Sequence, residues 1–319
     1  MDRNLALEFV RVTESAAIAA SSWIGKGDKI AADRVAVNEM RSRLNQIDFR
    51  AEVVIGEGEK DEAPMLFTHE LVGKSKKPPF MDIAVDPLEA TDSVALGRYN
   101  AITVIATGPK GSLLSAPDTY MEKIAVGKDA KHAIDLDAPV AVNIRNVAKA
   151  LGKKAVDITV IVLDRPRHEK LIADIRSAGA RVRLITDGDV AGAIAPSLPD
   201  SGIDMLMGIG ASAEAVLASA AIKILGGQLF CRFAPKNEKD KERILFEGAK
   251  INHVYATSEL TRGSELTFTA TGVIDGPLLK GVVAEKGTII THSLVMRAHS
   301  GTMRYITTHH HEHYDKKRI

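Results

Sequence analysis

The stretch F-M-D-I-A-V-D-P-L-E-A-T-D-S-V-A-L, residues 80–96, begins as an apolar strand and turns polar at Asp86. Pro87 has no amide hydrogen and pushes the residue before it towards extended backbone, so the strand is expected to end at Asp86. A turn then passes into a helix, which gathers Asp86, Glu89 and Thr91 around a strand-to-helix corner. Carboxylates in such a corner can hold hard divalent cations, and a helix start offers amides to a phosphate. Asp-Pro also opens many plain turns, so the corner alone does not decide the matter.

Other acids point the same way. A helix starting at Asp28 as N-cap would carry Lys29 and Asp33, four residues apart, on one face. A solvated ion pair is the plain alternative, but Lys before Asp is the weaker order, worth at most roughly a few tenths of a kcal/mol. Glu57 leaves the strand A-E-V-V-I between Gly56 and Gly58, which permits tight backbone geometry there, whereas Glu59, Lys60, Asp61 and Glu62 read as a solvated loop. Arg165 and Arg167 follow the apolar strand I-T-V-I-V-L, and guanidinium groups match phosphate oxygens, although a surface arginine pair reads equally well. Asp187 and Asp189 end the next strand, and Glu214 lies in a helix expected from about residue 213.

Asp33, Glu57, Asp86 and Glu89 thus come from three separate segments. Mg²⁺ and Mn²⁺ take oxygen ligands of this kind, and no Cys-His spacing for zinc is present in the sequence. Two such ions about 4 Å apart can clamp the attacking and leaving oxygens of an in-line phosphoryl displacement and lower the pKa of a water. Spacing carries the reading to a metal-dependent phosphoryl site and names no substrate.

The elements that must position these residues follow from periodicity. Helices are expected over residues 4–23, 28–45, 143–151 and 168–178, and strands over 51–55, 158–163, 182–186 and 204–210. Residues 101–107 and 112–116 read as a strand pair around G-P-K-G, and 236–243 as an exposed charged loop or helix start. Segments 266–272, 281–283, 288–297 and 302–308 read as strands, and T-H-H-H-E-H-Y as a polar end. Alternating strands and helices imply an α/β (α+β) layered architecture with ligand groups at the carboxyl ends of strands. A division into 1–145, carrying the metal and catalytic groups, and 146–319, carrying the substrate-binding groups, is expected, with the last strands free to return to the first sheet.

Composition narrows the class. The 319 residues are 45% hydrophobic and 26% charged with a net charge of +1, so no basic field calls for nucleic acid and no polybasic segment for a membrane. Aromatic content of 4% argues against a base-stacking platform. No apolar run reaches the roughly 20 residues of a membrane span. The first residues show no signal-peptide pattern, and one cysteine, Cys231, excludes an internal disulfide and suits a reducing cytoplasm.

Six collinear motifs, G-D-K-I-A-A-D-R-V-A-V-N-E-M-R, I-G-E-G-E-K-D-E-A-P-M-L, D-I-A-V-D-P-L-E-A-T, A-P-D-T-Y-M-E-K-I-A-V-G, R-P-R-H and D-G-D-V-A, span nearly the whole chain. Together they resemble the class II fructose-1,6-bisphosphatases of bacteria. The resemblance implies the alternating α-β-α-β-α sandwich shared with inositol monophosphatase-like enzymes. It also implies hydrolysis of the 1-phosphate of fructose 1,6-bisphosphate, a gluconeogenic step, with Mg²⁺ or Mn²⁺, more than one ion per site, in a cytoplasmic homo-oligomer. Carried over by position, Asp33, Glu57, Asp86, Glu89 and Glu214 match metal-site acids, and Asp33, Glu57 and Thr91 the groups that orient the attacking water. Lys29, Glu89, Ala90, Thr91, Tyr120, Arg165, Arg167, Asp187, Asp189 and Glu214 match positions around the substrate.

The sequence also departs from that pattern. Ala90 stands where the family usually has Gly, Asp92 where Asn is common, and Ala211, Ala213 and Ala215 where Gly, Pro and Gly are expected. A positive φ at Ala90 would cost about 1–2 kcal/mol. A sedoheptulose 1,7-bisphosphatase or inositol phosphatase, and a non-catalytic sugar-phosphate-binding paralogue, are the competing readings.

Overall fold

The structure, a computed structural model, describes residues 5–57, 65–76 and 80–311. The charged run Glu59, Lys60, Asp61 and Glu62 lies outside the described residues. In chain order the first elements are α1 (Leu5–Ser21), α2 (Lys29–Leu44), β1 (Arg50–Ile55), β2 (Leu71–Val72), β3 (Phe80–Glu89), α3 (Thr91–Leu96) and β4 (Ala101–Pro109). There follow β5 (Tyr120–Val126), α4 (Val140–Ala150), β6 (Thr159–Leu163), α5 (Glu169–Ser177), β7 (Arg181–Ile185), α6 (Asp189–Ile194), β8 (Met205–Ala211), α7 (Ser212–Ile224), β9 (Gln228–Phe233), α8 (Glu238–Phe246), β10 (Tyr255–Ala256) and α9 (Thr257–Leu260). The chain then runs through β11 (Thr267–Ile274), β12 (Val283–Glu285), β13 (Thr288–Arg297) and β14 (Thr302–His311).

Contacts divide the chain into two compact units, Met1–Gly111 with Gly263–Ile319, and Ser112–Arg262. They place the break at Gly111 rather than at residue 145, because β5 is bonded along its length to β8 and β9 of the second unit. Each unit is a mixed sheet with helices packed on it, the α/β layering expected from the sequence.

In the first unit the described strands run in the order β12-β13-β11-β4-β3-β1-β2, with β14 beside β13. Helices α1 and α2 cover one face. Phe9, Ala16, Met40 and Leu44 meet Val53, Ile83, Val85 and Ile105 in a single apolar cluster. Where apolar patterning lapses, α1 makes a polar seam with the sheet. The Thr13 hydroxyl lies 2.7 Å from that of Thr271, and Thr103 donates to the Thr13 carbonyl at 2.9 Å. The buried Glu14 carboxylate accepts from Thr291 and Thr308. Satisfied donors and acceptors let these groups stay inside without a large penalty.

In the second unit the order is β10-β9-β5-β8-β6-β7, and both faces are covered. Alternation along the strands shows why: Val160 and Val162 pack with α4 and α5 residues, while Ile161, Leu206 and Ile185 lie against Gly192 of α6.

The structure corrects two expectations, at β3 and at 112–116, and adds two features that the sequence reading did not contain. β3 does not end at Asp86 but continues to Glu89, because its register with β4 jumps from Asp86↔Val104 to Glu89↔Ile102. Pro87 sits in that bulge, where no ladder donor is needed. Residues 112–116 form no strand and share only a bridge, Leu113↔Thr261, since the chain leaves the first sheet there. Helix α6 goes unread in the sequence because its small residues, D-V-A-G-A-I, are buried all round and carry no amphipathic signal. The histidines of the polar end are not loose: His309, His310 and His311 extend β14 and pair with β13.

Candidate active site

The first group of site residues is built at the carboxyl ends of β1 and β3. These strands run parallel with Ile55 opposite Ala84, so Glu57 and Asp86 each come two residues after the last registered pair, Glu57 past the end of β1 and Asp86 still paired with Val104 of β4. Glu57 is pinned by its amide, which donates to the Leu66 carbonyl at 2.9 Å. A Cβ on Gly56 would fall 2.0 Å from that same carbonyl oxygen, so only glycine fits before Glu57. The Leu66 loop is in turn held by the buried Glu70 carboxylate, which accepts from the Leu66 amide and from Arg41 Nε of α2.

The Asp86 carboxylate accepts from the Leu88 amide at 3.1 Å and so closes the turn over Pro87. Glu89 is 1% exposed at the end of β3. Next comes Ala90 at φ 73°, ψ 51°, a left-handed conformation that caps α3 and sets Thr91 in its first turn. Lys29 bridges to Asp92 at 3.1 Å, tying the first turn of α2 to that of α3. Asp28 caps α2 by accepting from the Ala31 amide at 2.9 Å, as its sequence suggested. Asp33 follows one turn after Lys29, and burial raises its carboxyl above the usual range. Every donor in this group is an oxygen, the chemistry hard divalent cations take.

The second group lies along one end of the second sheet. Arg165 follows β6 and Asp187 follows β7, strands that run parallel with Leu163 opposite Ile185. Tyr120 opens β5 directly opposite Ala211 at the end of β8. The Arg165 guanidinium donates to the Thr186 carbonyl at 2.5 Å and reaches the Asp187 carboxylate at 3.5 Å. Arg167 donates through Nε and Nη2 to the Ile209 carbonyl, at 3.1 and 2.7 Å, and its guanidinium lies 5.2 Å from the centre of the Tyr120 ring. Glu214, in the first turn of α7, accepts from the Ala211 amide at 2.8 Å.

Three residues of this unit escape sequence reasoning. Lys123 on β5 is 2% exposed and donates to Asp189 at 2.7 Å and towards Glu214 at 3.4 Å. Burial opposes the charged form of both Lys123 and Asp189, yet the attraction between them outweighs it, holding the lysine above and the aspartate below their ordinary ranges. Gly210 makes room, since a Cβ there would lie 1.8 Å from Asp189 Oδ2. His168 is the second: Nδ1 lies 2.7 Å from the Leu163 carbonyl and Nε2 accepts from the Ile209 amide at 2.8 Å, which fixes the neutral tautomer. Lys236, in the stretch read as a plain charged segment, is the third, with Nζ 3.5 Å from the centre of the Tyr120 ring. A lysine directly before the apolar run I-A-V of the Y-M-E-K-I-A-V strand was the available signal for Lys123.

Of the alanines that depart from the expected pattern, Ala90 alone takes a positive φ. Ala211 sits at φ −67°, and Ala213 and Ala215 lie in α7, where alanine is favourable.

The family described as "Bacterial fructose-1,6-bisphosphatase, glpX-encoded" matches residues 3–310. The chain belongs to that family. Among its relatives, a protein of Haemophilus influenzae named fructose-1,6-bisphosphatase class 2 is 46% identical, the match covering 97% of each chain. The fructose-1,6-bisphosphatase 1 class 2 of Escherichia coli is 44% identical over 97% of this chain and 96% of its own length. The family match thus runs over essentially the full described chain, the positions of both groups of residues included.

Proposed function

We propose that this protein is a fructose-1,6-bisphosphatase that hydrolyses the 1-phosphate of fructose 1,6-bisphosphate, a gluconeogenic reaction, with Mg²⁺ or Mn²⁺. Family membership over residues 3–310 carries the reading. The all-oxygen donor set of Asp33, Glu57, Asp86 and Glu89 supports the metal, and Glu214 is the further acid of the second group. Such an ion, bound by these residues, supplies charge neutralisation at the scissile phosphate and a lowered pKa for water.

The remaining steps belong to the chain's own groups. Asp33 and Glu57 accept hydrogen bonds from the attacking water and orient it, and Asp33, disfavoured as an anion by burial, is suited to taking up its proton. The Thr91 hydroxyl donates to the scissile phosphate from the first turn of α3, its direction set by the left-handed Ala90. Tyr120, Arg165 and Arg167 hold the distal phosphate, and Asp187 and Asp189 face the sugar hydroxyls. The same reading places the protein in the cytoplasm as a homo-oligomer, on family membership. No helix among the described residues is long and apolar enough to cross a membrane.

The test is phosphate release from fructose 1,6-bisphosphate with Mn²⁺, with Mg²⁺ and after chelation. Turnover that disappears on chelation and returns with metal is expected, as is loss of turnover in Asp86→Asn with the fold retained. Chelation-resistant turnover would overturn the metal assignment, and full activity in Asp86→Asn the site. An inert wild-type protein with intact folding would overturn the activity itself.

A further inference from the structure

The register of the second sheet brings a residue that nothing above assigns up to the phosphate-binding arginine. The Ala234 amide donates to the Tyr120 carbonyl at 2.8 Å, so the end of β9 lies directly beside the start of β5. Lys236 is two residues further along, past Pro235 and beyond the end of β9 at Phe233. The loop that carries it is fixed by the head of α8. The Lys236 amide donates to Asp240 Oδ2 at 2.9 Å, and Asn237 caps the helix by accepting from the Asp240 amide at 2.9 Å. Arg243 of the same helix donates to the Asp118 carbonyl at 3.2 Å, holding α8 against the segment that leads into β5.

The outcome is a tyrosine ring with two cations on it, Lys236 Nζ at 3.5 Å and the Arg167 guanidinium at 5.2 Å from its centre. Neither makes an ion pair among the described residues; Arg167 spends its Nε and Nη2 on the Ile209 carbonyl. Ring faces attract cations, while two like charges near one ring repel each other, and a di-anionic ligand group would relieve that repulsion. Arg167 brings a planar fork and Lys236 a mobile point charge, a complementary pair of phosphate donors.

We propose that Lys236 is a specificity-determining residue that, with Arg167 and Tyr120, binds the non-reacting phosphate of a sugar bisphosphate. This rests on the phosphatase reading for the substrate's identity and on the geometry of β5, β9 and α8 for the anion subsite. A residue gripping only the distal phosphate contributes binding rather than chemistry, so its loss should raise KM and leave kcat nearly unchanged.

The experiment compares wild type, Lys236→Ala and Lys241→Ala. The last removes an exposed charge from α8 that is paired with Glu238, and so controls for net charge. Calorimetric binding of fructose 6-phosphate, which retains the distal phosphate, is measured beside steady-state hydrolysis of fructose 1,6-bisphosphate. Lys236→Ala should weaken fructose 6-phosphate binding and raise KM by about tenfold, with kcat within about twofold of wild type. Lys241→Ala should change neither. Unaltered binding in Lys236→Ala, an equal effect in Lys241→Ala, or a wild type that does not bind fructose 6-phosphate would each overturn the proposal. Binding that depends on Lys236 in a protein without turnover would uphold the subsite and overturn the phosphatase reading instead.

Discussion

Ala90 holds a backbone conformation that its own Cβ disfavours, at φ 73° in the corner between Glu89 and Thr91. A left-handed non-glycine residue costs about 1–2 kcal/mol and persists only where surrounding structure over-determines it. Here the surroundings are the buried Glu89 on one side and, on the other, the Ser93 and Val94 amides, which both donate to the Ala90 carbonyl. Ala90→Gly should therefore stabilise the protein by about 1 kcal/mol, once the greater freedom of glycine in the unfolded chain is offset. The denaturation midpoint reads this directly, and a lower midpoint in the variant would mean that the corner is not strained. Turnover should be retained, because the same backbone presents Thr91 in both proteins. Such a residue is legible in a sequence only as a question: D-P-L-E-A-T shows an alanine at the corner, but the sign of φ depends on how α3 leaves the sheet.

At the scale of elements, the R-P-R-H turn is held to β8 by His168, and its arginines can point where they do only while that clamp holds. Burial lowers the imidazole's pKa, with Arg167 and Arg165 pressing the same way and the Leu163 carbonyl and Asp189 opposing. A depressed folded value means that the contribution to stability is complete above the ordinary value near 6.5 and is lost as pH falls through the folded value. The wild type should lose stability on acidification below about pH 6.5 by up to roughly 1.4 kcal/mol per pH unit from this group. Urea midpoints at pH 7, 6 and 5 should fall less steeply in His168→Gln; parallel slopes would remove the clamp from the account. The sequence displayed R-P-R-H as a turn delivering two arginines, and the structure adds that the histidine closing the motif is what fastens it. Helices and strands with a clear period were readable: β13 spans Thr288–Arg297 as expected, and α2 begins at its Asp28 cap. Elements without a period were not, as the all-buried α6 and the Pro87 bulge show. Both are settled by burial and register that no single segment contains.

At the scale of the whole molecule, the second unit is an insertion whose two ends meet. The Arg262 amide donates to the Ser112 carbonyl at 2.6 Å, the Leu114 amide to the Leu260 carbonyl at 2.8 Å, and Leu113 bridges Thr261 between them. The sequence suggested a strand at 112–116 but paired it with 101–107, and nothing in 257–262 marked that segment as its partner; a cut at residue 145 would also have severed β5 from β8 and β9. A fragment with adjacent ends and its own two-sided core should fold alone. Cys231 provides the reporter. It is fully buried on β9, and burial pushes its thiol up to about 12. Its protonated form is therefore favoured by the fold, a contribution complete below about pH 8.5 and lost as pH rises through about 12. Since the thiolate is the reactive species, an excised 112–262 fragment should resist a thiol reagent at pH 8 and react at once when urea unfolds it. Dispersed amide resonances should accompany that protection. Immediate labelling in buffer would mean that the second unit depends on the first for its fold, and that the chain is a single cooperative body despite its two cores.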